Sequence, residues 1–123
     1  MNSHAAVAAE LLGEEKVRAV LEDYRTAPIT EAERALFAFI EKVNGDCASV
    51  GEADVAALRA AGHSDEAVYD AVMACALFNF YNRWIDATGV HEMSPEAHRQ
   101  SGKRLAQRGY LMSGHTGQPV KQA

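Results

Sequence analysis

The sequence predicts an all-α fold of about six helices. Three observations carry that expectation. Alanine is the commonest of the 123 residues and proline occurs only three times, while runs of β-branched residues are absent. Apolar residues recur at three- and four-residue spacings over several stretches. Helix-start and helix-stop residues bracket those stretches at intervals of ten to twenty-five positions.

The elements follow in order. Met1 to Leu12 reads as a helix with His4, Val7, Ala8 and Leu11 on one face and Gly13 as its end. Glu14 to Tyr24 reads as a second, with Val17, Val20, Leu21 and Tyr24 inward, before a connector containing Pro28. Thr30 with Glu33 forms a capping box opening a third helix, whose apolar face is Ala35, Leu36, Phe39, Ile40 and Val43 and whose stop is Gly45. After a loop at 46–51, Glu52 to Ala61 makes a short fourth helix carrying Val55 and Leu58, and Gly62 closes it.

The longest helix spans Ser64 to Thr88. Ser64 is a good N-cap, Asp65 and Glu66 place acids in the first turn, and Gly89 offers a left-handed stop. Apolar side chains cover most of its circumference, which predicts a helix buried against its own domain or a partner. Asn79, Asn82, Arg83 and Asp86 interrupt it along one stripe that continues the line of Val68, Val72 and Cys75. Such a stripe is either a bracing network between helices, within or across subunits, or one wall of a pocket. Ser94-Pro95 then starts a polar sixth helix to about Arg108, expected on the surface. A single domain at 1–109 with a loose polar tail at 110–123 is the expected organisation.

Net charge is −5, and no basic run is interleaved with aromatic residues, which argues against nucleic acid as a partner. No apolar stretch approaches the roughly 20 residues that span a bilayer, and no signal-peptide pattern opens the chain, so the cytoplasm is the default location and no membrane partner is expected. Cys47 and Cys75 form no metal or redox spacing and are expected as two reduced thiols, Cys75 as a small apolar filler. Of the five histidines, His63, His91, His98 and His115 are expected to be solvated rather than ligands, because none falls in a metal pattern. No metal or other cofactor is expected. There is no nucleophile elbow, no paired-carboxylate signature and no glycine-rich phosphate loop.

Two stretches nevertheless carry a resemblance. The first runs Ala53-Asp54-Val55, Leu58 to Glu66, Ala76-Leu77-Phe78-Asn79-Phe80-Tyr81-Asn82-Arg83, Asp86 and Gly89. The second, earlier one is Asp23-Tyr24-Arg25-Thr26-Ala27-Pro28, Glu33 to Leu36 and Glu41-Lys42-Val43. Together they resemble the peroxidase-related branch of the carboxymuconolactone decarboxylase and alkylhydroperoxidase-D-like superfamily, over about His4 to Gly89. The resemblance implies an all-α fold whose protomers form dimers, trimers or hexamers, with a peroxide or another small molecule as ligand and an antioxidant, oxidoreductase ancestry. Active members of that family use C-x-x-C-x-x-x-H with a glutamate upstream. His4 resembles the motif histidine, and both cysteines would then fall ahead of Met1. A dithiol peroxidase needs one thiolate to attack peroxide and a second thiol to resolve the sulfenic acid. Cys47 and Cys75 match neither position, so the chain as written is expected to be inactive: either its true start lies upstream, or it is a paralogue that keeps the scaffold without the chemistry. The alternative expectation is a non-enzymatic helical oligomerisation or small-molecule-binding module.

Overall fold

The computed structural model describes residues 3–110. They form six α-helices and one short 3₁₀ turn at Cys47–Ser49, with no strand among the described residues. In chain order the helices are α1 (Ser3–Leu12), α2 (Glu14–Asp23), α3 (Glu31–Asp46), α4 (Glu52–Ala60), α5 (Asp65–Thr88) and α6 (Pro95–Arg108). The tail expected beyond Tyr110, including His115, lies outside the described residues.

Local chemistry explains most of the boundaries. Thr30 and Glu33 cap reciprocally: the Glu33 amide donates to Thr30 Oγ1 at 3.1 Å, and the Thr30 amide donates to Glu33 Oε2 at 2.8 Å. Ser64 accepts from the Ala67 amide at 3.1 Å and Ser94 from the Ala97 amide at 3.2 Å, with Pro95 at the first position of α6. Asp54 reaches back to accept the Gly51 amide at 2.8 Å, opening α4. Gly62 at φ +100° and Gly89 at φ +70° end α4 and α5 in backbone conformations that a Cβ would strain. Gly45, by contrast, does not stop α3. The helix continues through Asp46, because a single glycine in right-handed conformation costs only about 1 kcal/mol and leaves the hydrogen-bond ladder intact.

The chain falls into two compact units, with the boundary inside α2. The second unit, Arg18–Glu92, holds the hydrophobic core. Phe39 of α3, Leu58 of α4 and Val68 of α5 are buried there, with Ala35, Leu36, Ile40, Val43, Val50, Val55 and Val72 packed around them. The apolar faces expected for α3 and α4 are therefore the ones that pack. Within α2, Val17 is buried as expected, but Leu21 is exposed.

The other unit combines residues 3–17 with 93–110, and its main contact is α1 against α6. Two sequence expectations fail here. The inward face of α1 is Ala5 and Ala6, not the line from His4 to Leu11; His4 and Leu11 are exposed. Helix α6 is not wholly a surface helix, since His98 and Gly102 are buried along it. The reason is close approach. A Cβ on Gly102 would lie 2.7 Å from the Ala6 Cβ, so the pairing depends on small residues rather than on large apolar ones. No described helix is long and apolar enough to cross a membrane.

Candidate functional site

The sequence predicts α5 as a helix buried against its own domain or a partner. Within the chain Val68 is its only buried residue, and every position from Phe80 to Thr88 is exposed. The cause is length. Val68, Val72, Cys75 and Asn79 form the line that faces α3 and α4, and 24 residues at 1.5 Å each carry α5 well past what the 9-residue α4 can cover.

The polar stripe divides at Asn79. The Asn79 Nδ2 donates to Asn44 Oδ1 of α3 at 2.6 Å, to the Cys75 carbonyl at 3.0 Å and to Cys75 Sγ at 3.6 Å. Arg83 Nη1 donates to Asn79 Oδ1 at 2.7 Å and to its carbonyl at 3.1 Å. Cys75, Asn79 and Arg83 are thus brought together with Asn44 in one network, and both ends of the Asn79 amide are occupied. Asn82 and Asp86 do not join it; both are exposed, one and two turns past Asn79. Asn44 was missed in the sequence because nothing local distinguishes it from a solvated residue near a helix end.

His4 stands in the other unit. It is exposed, and its Nε2 lies 3.3 Å from the Tyr110 hydroxyl. The cysteines are both free thiols, Cys47 exposed and Cys75 half-buried. Among the described residues no group of three histidine, cysteine, aspartate or glutamate side chains could hold a metal ion.

Two histidines differ from the solvated expectation. His63 Nε2 donates to the Ala32 carbonyl at 2.8 Å, tying the start of α5 to the start of α3. His98 is 7% exposed, at the floor of a cleft of about 160 Å³ that Ala6, Glu10, Glu14, Pro95 and Arg99 also line. The missed signal was the four-residue repeat 97/98, 101/102, 105/106, which keeps the less exposed positions of α6 on one side. A second cleft, of about 290 Å³, lies over Phe39 and Leu58 between Ala35, Ala38, Ala57 and the Lys42–Asp54 pair. Neither cleft is lined by His4, Cys75, Asn79, Asn82, Arg83 or Asp86.

Charge clusters elsewhere brace the fold. Arg25 Nη2 and the Tyr24 hydroxyl both donate to Glu41, at 2.6 and 2.8 Å, and together hold its carboxyl below the ordinary range, the tyrosine bond first. The same bond to Glu41 raises the Tyr24 hydroxyl above its usual value. Lys42 Nζ donates to both Asp54 oxygens at 2.8 Å, and that contact, followed by the Gly51 amide, lowers the Asp54 carboxyl.

The arrangement therefore defines an all-helical protein with a polar brace on one side of α5 and an apolar stripe on the other. Tyr69, Met73, Leu77, Phe80 and Trp84 are all more than half exposed, at 65, 53, 52, 62 and 55%. Their spacings of four, four, three and four keep them within an arc of about 80°. No family model matches the chain, and no curated protein matches it.

Proposed function

We propose that this chain is a non-catalytic assembly module: a helical protomer that associates with copies of itself through the outward stripe of α5. The scaffold resembles the alkylhydroperoxidase-D-like, carboxymuconolactone decarboxylase-type proteins, without their dithiol chemistry. One observation carries the proposal. Five large apolar side chains at helical spacing stand more than half exposed on the longest helix. A run of that size is the usual mark of a protein–protein interface rather than of a free surface. The polar stripe supports it by contrast: Asn79 and Arg83 are bonded to each other, and Asn79 also to Asn44, so they act as the brace that holds the stripe outward.

Light scattering at micromolar concentration tests the proposal. A mass of two chains or more is expected, and a monomer would overturn it. The catalytic half has its own test, turnover of an alkyl hydroperoxide with a dithiol reductant. The 123-residue chain should be no faster than its Cys47→Ser, Cys75→Ser double variant; turnover that needs either thiol would reinstate the peroxidase reading.

A further inference from the structure

Resting on the assembly reading above, we infer that the occupant of the stripe is α5 of a second copy, lying antiparallel about a two-fold axis at Leu77. The area fits a pair of identical helices. The exposed parts of Tyr69, Met73, Leu77, Phe80 and Trp84 amount to roughly 600 Å² per chain, given the ~150–250 Å² that a whole aromatic side chain presents. Two such faces give about 1,200 Å² in total, the lower edge of the range for specific, stable interfaces. The stripe runs about 22 Å from Tyr69 to Trp84 at 1.5 Å per residue, with Leu77 near its middle, so it is self-complementary under a perpendicular two-fold axis.

Charge decides the direction. Asp65, Glu66 and Asp70 all lie in the first third of α5, whereas in the last third Arg83, its only cation, is offset by Asp86. A parallel pair would set the acidic thirds of both copies side by side and align the two helix dipoles. An antiparallel pair instead sets each acidic third against a third in which Arg83 and Asp86 cancel, brings Arg83 level with the partner's Asp70, and opposes the dipoles. It also places Met73 against the partner's Phe80, a sulfur–aromatic contact, and Tyr69 against the partner's Trp84, an aromatic pair. Leu77 meets the partner's Leu77.

Site-directed cross-linking of the full chain, with Cys47→Ala and Cys75→Ala removing the native thiols, tests the geometry. Leu77→Cys should oxidise to a disulfide-linked dimer. Tyr69→Cys alone should not, because its two copies would stand about 22 Å apart, far beyond disulfide reach, while a mixture of Tyr69→Cys and Trp84→Cys chains should link. Efficient self-linking of Tyr69→Cys would overturn the antiparallel direction. A dimer by light scattering in which neither Leu77→Cys nor the mixture links would overturn the seam while leaving self-assembly standing. A monomeric background chain would overturn both.

Discussion

Arg34 shows how much of a connector one side chain can hold. Its guanidinium donates to the carbonyls of Tyr24 at 2.7 Å and of Ala27 and Ile29 at 3.3 Å, and also to that of Arg25. Its planar fork of five donors suits that task, whereas a lysine could not reach all four acceptors. Nothing in the sequence announces the role, since an arginine three residues after Glu31 reads as an ordinary helix-surface ion pair, which it also forms. Asp54 carries the pH dependence at this scale. Lys42 and the Gly51 amide lower its carboxyl, so the stability it contributes is present above the unfolded value of about 3.9 and is lost as pH falls through the lower folded one. Glu41, lowered by Tyr24 and Arg25, adds in the same direction. The urea midpoint should therefore hold down to about pH 5 and fall below about pH 4, and Asp54→Asn should flatten that fall. An unchanged acid limb in the variant would show that the pair is not formed in solution.

Elements were more legible than their partners. The cap at Ser64, the capping box at Thr30 and Glu33, and the stop at Gly89 follow from local geometry, and all three form. The pairing of α1 with α6 was not legible, because it is made by residues too small to give an apolar period. Gly102 is the critical position. In an unpacked helix an alanine there would stabilise by about 1 kcal/mol. Against the Ala6 Cβ at 2.7 Å it should instead destabilise, by about 1–3 kcal/mol of overpacking. Circular dichroism of Gly102→Ala under urea reads the sign directly, and a gain in stability would contradict the α1–α6 contact.

At the scale of the whole molecule, the outward face of α5 should respond to concentration. Trp84 is the only tryptophan, and it is 55% exposed on the proposed seam. Its emission should shift to shorter wavelength as the protein passes from dilute to concentrated solution, and the thermal midpoint should rise with it by mass action. Leu77→Lys, placing a charge at the centre of the seam, should abolish both effects without altering the core of Phe39, Leu58 and Val68. Concentration-independent emission in the unmodified chain would remove Trp84 from the interface.

The sequence by itself determined the helical class, the six helices, their caps and the core positions of α3 and α4. Those depend on backbone propensity, end-group hydrogen bonds and a 3.6-residue period, all local properties. Only the tertiary structure decided which face of α5 is covered. A helix apolar on nearly every side has no period to mark an inside, so the choice falls to whatever packs against it. Here α3 and α4 take the line of Val68, Val72 and Cys75, and Asn44 fixes it through Asn79. Tyr69, Met73, Leu77, Phe80 and Trp84 are left facing out.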